Sequence, residues 1–206
     1  MDICFVGEAW REKGGIGTQQ RAGYVMGAGF GKSDRVVAYW KENLKENIRV
    51  SIESERAVAV DIGGSFVGAI YGATDGGREE MENWLQSLER VVSRQRGVLL
   101  GDWNTHCREW DEREDGKGKA LRDWMLGGGF RLVQPDGATW CRSRDGAIVL
   151  STIDLVWEKA QLHIWKPRDS EGLLGDHRVI WGELDVEGME KEDKVAQRQV
   201  VDWISL

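Results

Sequence analysis

Apolar positions along this chain follow two rhythms. The first is a series of short runs: DICFV (2–6), RVVAYW (35–40), IRVSIE (48–53), RAVAVDI (56–62), SFVGAIYGA (65–73) and GVLL (97–100), then FRLV, TWCRS, STIDLVW (151–157), AQLHIW and HRVIWGELDV. Runs of this length, rich in β-branched and aromatic residues and bounded by glycine or charge, predict strands. DICFV is continuously apolar after Asp2, which predicts a strand buried on both faces that ends at Gly7-Glu8. Residues 13–33 are glycine-rich and read as a long loop, and SEGLLG (170–175) reads as another. The second rhythm is helical. Met81, Trp84, Leu85, Leu88, Val91 and Val92 recur at i, i+3, i+4, i+7 spacing and predict a helix over 78–96. A second helix is predicted from Lys117 to Leu126, ended by Gly127-Gly128-Gly129. Many strands, two or three helices and no regular βαβ alternation predict an α+β fold, a two-sheet sandwich with helices outside. We place one domain over residues 1–186 and a charged linker or helix over 187–206.

Composition narrows the class. The chain has 206 residues, 41% hydrophobic and 31% charged, as in an ordinary globular domain, and no apolar run approaches the length of a membrane span. Its three cysteines (Cys4, Cys107, Cys141) lie far apart, which argues against a disulfide framework or a structural zinc site. The net charge of −7 argues against tight, metal-free, non-specific DNA binding. Charge is uneven, however: residues 1–50 carry eight Lys/Arg against six Asp/Glu, and residues 151–206 carry seven against twelve. A local basic rim or a bound cation would still admit a polyanion. Eleven tryptophans against two prolines is unusual. Trp10, Trp103, Trp110 and Trp140 sit beside polar or glycine-rich stretches and serve either packing or base stacking.

The candidate chemistry lies in acids at strand ends. Glu8 follows DICFV, Asp102 follows GVLLG, Asp154 lies inside STIDLVW, and Asp176-His177 precedes RVIW. An acid embedded in an apolar strand is costly unless it is paired, protonated or bound to metal. Each acid alone has a plain structural reading, such as an Asx-turn at Asp102. Four such placements together favour a shared site. In GDWNTHCREWD (101–111), Asp102, Asn104 and His106 alternate, which on an extended chain puts them on one side. Carboxylate and amide oxygens without clustered thiols favour a hard ion, Mg²⁺ or Mn²⁺. That set suits phosphodiester cleavage, with a carboxylate such as Asp102 as base for water and an imidazolium offsetting phosphate charge.

With these residues in order, the chain resembles the endonuclease/exonuclease/phosphatase superfamily, whose fold is DNase I-like. FVGEAW, AIYGA, GDWNTH, STIDLVW and LLGDHRVIW resemble the family's successive motifs. Within the superfamily the chain is most similar to the endonuclease domain of non-LTR, LINE-type retrotransposons, and RQVVDWISL resembles the stretch leading towards their reverse transcriptase.

The resemblance implies a four-layer α/β-β/α sandwich that acts on DNA with Mg²⁺ or Mn²⁺ and leaves a nick with a 3′-hydroxyl. It implies metal binding by Glu8 and Asp176, and base action on water by Asp102. Asn104 and Tyr71 would contact the phosphate, as would His177 with Asp154 on its ring. It also implies a link to a reverse transcriptase polyprotein and an intracellular, nuclear place of action. Three departures stand out. The family's first core strand, with its Asn, has no counterpart in this chain. Gly175 stands where Ser is usual before Asp-His, and Trp103 stands where Phe is common. His106 is either a substrate contact or a loop histidine. Gln19 and Arg21 contact DNA or belong to a structural loop. A phosphoesterase of small or lipid phosphoesters and an inactive truncated relic are the competing expectations.

Overall fold

The computed structural model describes residues 3–7, 24–28, 35–89, 93, 96–133, 137–144, 146–159, 168–174 and 176–181. Three sheets are formed. The largest joins β4 (Arg49–Glu53), β5 (Ala57–Ile62), β6 (Ser65–Tyr71), β7 (Gly97–Asp102), β11 (Asp154–Lys159) and β8 (Phe130–Val133) in the order β4-β5-β6-β7-β11-β8. All its pairs are antiparallel except β6–β7, which is parallel. A parallel neighbour needs a crossover, and the chain between β6 and β7 supplies α1 (Arg78–Ser87). A three-stranded sheet has the order β1-β3-β2, from β1 (Ile3–Gly7), β2 (Tyr24–Ala28) and β3 (Val36–Lys41). A four-stranded sheet has the order β10-β9-β13-β12, from β9 (Trp140–Arg144), β10 (Ala147–Ser151), β12 (Arg168–Leu174) and β13 (His177–Trp181).

Alternation along the central strands explains the layers. On β5, Ala57 and Ala59 belong to the core under α1 and α2 (Gly116–Gly127), while Val58, Val60 and Ile62 face β3 with Val36, Ala38 and Trp40. Both faces are buried, so these strands read as unbroken apolar runs. The helix-side core gathers Phe66, Ile70, Leu99, Leu155 and Trp157 against Met81, Leu85, Leu121 and Met125. Aromatic edges complete it: Trp84 meets Trp103 with ring centroids 6.1 Å apart, and Trp110 meets Trp157 at 5.8 Å. On the opposite face, Val98 and Val156 pack with Ile180 of β13, so the small sheets cover both halves of the large one. Helices, large sheet and small sheets thus make three described layers of a DNase I-like α+β sandwich.

Several expectations need correction. At Ile3, Cys4 and Phe5, β1 is half-buried rather than buried on both faces, because among the described residues it pairs with β3 alone, at the edge of a three-stranded sheet. The glycine-rich stretch contains strand β2, whose apolar Tyr-Val-Met is hidden among glycines, and residues 170–174 of SEGLLG lie within β12. STIDLVW is not one strand: Ser151 ends β10, Asp154 opens β11, and Thr152-Ile153 cross between sheets. The first helix is described to Ser87, with Leu88 buried beyond it; Val91 and Val92 lie outside the described residues. So do residues 182–206, and with them the boundary at 186/187.

Trp103 is fully buried, and its indole N–H has no hydrogen-bond partner. Truncation to Ala should therefore cost about 3–5 kcal/mol in chemical denaturation, from lost burial and a cavity. Trp103→Phe forfeits no hydrogen bond and should cost clearly less. Equal losses in the two variants would show that the ring does not act through packing.

Candidate active site

Strand register puts the first three side chains together. Tyr71 on β6 is the cross-strand partner of Asp102 on β7, and Asp102 is the partner of Asp154 on β11. Residues opposed in this way project from the same face. Here it is the face that carries Val67, Ala69, Leu100 and Val156, so the apolar core between the sheets ends in a row of polar groups. Gly101 makes the turn into this row possible. Its φ is +134°, and a Cβ there would overlap the Ile70 carbonyl oxygen.

Asn104 reaches Asp102 by a turn and not by extended alternation. Its φ is +49°, and its backbone N–H donates to Asp102 Oδ1 at 2.9 Å. The Asx-turn reading of Asp102 and the site reading are thus both met by one carboxylate. Asn104 Nδ2 donates to Asp102 Oδ2 at 3.0 Å and to the Gly72 carbonyl at 3.0 Å. Gly72 in turn donates its N–H to the Asp102 carbonyl at 2.6 Å, which locks the segment after Tyr71 to the segment after β7.

The opposite wall comes from the four-stranded sheet. Thr139 Oγ1 accepts the N–H groups of Ile153 and Asp154 at 3.1 and 2.9 Å, holding the start of β9 against the start of β11. His177, first residue of β13, pairs with Trp140 and places its Nδ1 3.0 Å from Asp154 Oδ2. Its Nε2 lies 4.0 Å from Asp102 Oδ2 and 3.9 Å from Asp176 Oδ1. Asp176 is exposed, and its Oδ2 accepts the Trp140 indole N–H at 3.0 Å. Burial alone would lower the His177 pKa. The Asp154 hydrogen bond and the charges of Asp154, Asp102 and Asp176 outweigh burial and raise it from 6.5 to about 9. His177 is therefore an imidazolium at neutral pH, donating to Asp154.

The structure brings Asp102, Asn104, Asp154, Asp176 and His177 into one cluster, with Tyr71 beside Asp102 in the strand register. Glu8, Trp10, Gln19 and Arg21 lie outside the described residues. His106 turns to a different partner, Asp111, with 3.3 Å from its Nδ1 to Oδ2. Trp103 and Trp110 are buried packing residues, and Trp140 serves Asp176. Sequence reasoning missed Asp111, Ser151 and Thr139. The signal for Asp111 was present, since it closes GDWNTHCREWD as an acid next to a buried tryptophan.

The donor set bears on a metal. Asp102, Asp154 and His177 offer ligand atoms that all lie within 4.8 Å of one another. Without a metal the His177 ring is a cation that donates to Asp154, so an ion ligated by this imidazole would first have to displace a proton. The carboxylate oxygens fit a hard divalent ion.

A family described as "Endonuclease-reverse transcriptase" matches residues 66–181. No curated protein matches the chain. Among solved structures, the endonuclease domain of TRAS1, a telomere-specific non-LTR retrotransposon, is similar with a TM-score of 0.67 at 16% identity, over 81% of this chain and 82% of that one. An AP endonuclease from Archaeoglobus fulgidus gives 0.68 at 16% identity, over 90% and 89%. The 3′ phosphatase NExo from Neisseria, bound to a product DNA hairpin, gives 0.64 at 18% identity, over 89% of each chain. The likeness to these structures shows the fold.

In metal-free protein, the His177 ring should titrate near pH 9 by NMR, and Asp154→Asn should bring it down towards 6.5. A raised folded-state pKa means that the linked stability is full below about 6.5 and is lost as pH rises through about 9. Denaturation at both ends of that window should show the loss in the wild type and a smaller one in His177→Gln. A wild-type ring that titrates near 6.5 would contradict the charged pairing.

Proposed function

The chain belongs to the endonuclease–reverse transcriptase family, and on that premise we propose that it is a divalent-metal-dependent DNA endonuclease. It would nick its target and leave a 3′-hydroxyl. The observation that carries this reading is the row Tyr71–Asp102–Asp154 facing the His177 imidazolium at one end of the sandwich. Such a site offers a base for water, a fixed cation for phosphate and hard oxygen donors within one phosphodiester's reach.

The residues divide the work as follows. Asp102 takes the proton of the attacking water, and Asn104 fixes the orientation of its carboxylate through two hydrogen bonds. Because Asn104 Nδ2 is already engaged by Asp102 and Gly72, what Asn104 offers the water is its amide oxygen as an acceptor. His177 meets a non-bridging phosphate oxygen with a positive charge, and Asp154 keeps it protonated and aimed. Tyr71, beside Asp102 in the strand register, would donate to the phosphate or stabilise the leaving oxygen. Asp176, with Glu8, would hold Mg²⁺ or Mn²⁺, which when bound would stabilise charge on the phosphate and the departing oxygen. The reading carries with it a reverse transcriptase of the same polyprotein that extends the 3′-hydroxyl, and a nuclear place of action.

Supercoiled plasmid with Mg²⁺ or Mn²⁺ should relax to the nicked circle, stop with a chelator and prime a polymerase at the nick. Asp102→Ala and His177→Ala should each lower the rate by about 100-fold or more. Folded wild-type protein that leaves plasmid intact in both metals would sink the proposal. Phosphate release from small phosphoesters under the same conditions would move the reading to another substrate.

A further inference from the structure

Asp111 takes no part in the cluster just described, yet it is one of the most heavily bonded acids among the described residues. Its side chain is 4% exposed. Oδ2 accepts the Ser151 hydroxyl at 2.5 Å and the Thr152 N–H at 3.1 Å, and it lies 3.3 Å from His106 Nδ1. Oδ1 accepts the Arg113 N–H at 3.0 Å, with Arg113 Nε at 3.4 Å. Burial would raise its pKa, but these hydrogen bonds outweigh burial and hold it well below the ordinary carboxylate range.

These partners lie on two separate pieces of chain. His106 and Arg113 belong to the segment that follows Asp102 and Asn104. Ser151 and Thr152 stand immediately before Asp154, at the crossing from β10 to β11. The first segment is pinned again from below. Asp115 caps α2 through Gly118 N–H at 2.6 Å, and its other oxygen accepts the His106 N–H at 3.1 Å. Gly118 is itself required there, since a Cβ would overlap the His106 carbonyl. Among the described residues, the carboxylate with which the anchored segment grips the crossing is Asp111, at Ser151 and Thr152, beside the Trp103 N–H that donates to the Ile153 carbonyl.

We propose that Asp111 is a positioning residue for the phosphodiesterase reaction: it clamps the Ser151-Thr152 crossing and thereby fixes Asp154, and through Asp154 the His177 ring, relative to Asp102 and Asn104. The proposal rests on the endonuclease reading for its kinetic consequence only. Its geometry is testable without turnover, by amide hydrogen exchange. A misplacement of about 1 Å between reacting groups is enough to cost on the order of 100-fold in rate.

The test compares wild type with Asp111→Ala and Asp111→Asn. In Asp111→Ala, exchange at Thr152, Ile153 and Asp154 should rise by about 10-fold while Leu99 and Val156 in the sheet centre stay as they were. Plasmid nicking should lose about 10-fold or more in kcat, with KM within about 2-fold. Asp111→Asn keeps an oxygen for Ser151 and Thr152 and should recover most of kcat. If Asp111→Ala does not fold, Ser151→Ala removes one bond of the same clamp and should give the same pattern in smaller measure. Exchange that rises uniformly across the sheet, or a folded Asp111→Ala with wild-type kcat, would overturn the proposal. If wild type fails to nick while the exchange pattern appears as described, the clamp stands and the endonuclease reading falls alone.

Discussion

The site depends on strand register. Tyr71, Asp102 and Asp154 are neighbours because β6, β7 and β11 are hydrogen-bonded in a fixed alignment, so the spacing between the acids follows from the sheet and not from loops. Everything else at that end of the molecule adapts to this row. Gly101 takes a conformation that only glycine adopts easily, Asn104 takes a left-handed one, and Thr139 spends its hydroxyl on two backbone N–H groups of the crossing. The polar row occupies the position where the apolar filling between the sheets runs out, so its carboxylates are backed by a buried apolar interior.

Three carboxylates around one place carry a cost. Two unit charges less than 5 Å apart repel by about 3 kcal/mol at an effective dielectric of about 20. His177 offsets part of this by remaining charged, bonded to Asp154 and within 4.0 Å of Asp102 and Asp176. The remaining negative charge is what a hard divalent cation would neutralise, and on the proposed reading that cation would also ease the approach of a phosphodiester to acidic residues. The overall charge of −7 is thus compatible with a polyanionic substrate, because the sign that matters is set locally.

Much of this was legible in the sequence. Central strands buried on both faces announce themselves as apolar runs, and α1 and α2 show their periodicity, so the large sheet and its helices were readable. The acids stood out because they interrupt that apolar character. What escaped detection had weaker local signals. β2 is a five-residue strand set among glycines, and β12 begins with four residues that are charged or small. Strand identity for S-T-I-D was misread because composition does not record that two residues can change sheets. His106 looked equivalent to Asp102 and Asn104 because alternation assumes an extended chain, and the turn at Asn104 breaks that assumption. Asp111 and Thr139 act through hydrogen bonds to distant backbone, which no periodicity encodes.

The crossing at Thr152-Ile153 has a mechanical consequence. The chain leaves the four-stranded sheet at Ser151, opposite Trp140, and joins the six-stranded sheet at Asp154, opposite Asp102. Two residues are too few to give slack, and Trp103 N–H is bonded to the Ile153 carbonyl between them. The crossing therefore behaves as a rivet. It prevents the two sheets from shearing past each other, and one residue added or removed there would turn Asp154 to the wrong face. Any shape change on binding must then come from segments at the periphery, while the sandwich presents its acidic end as a rigid edge.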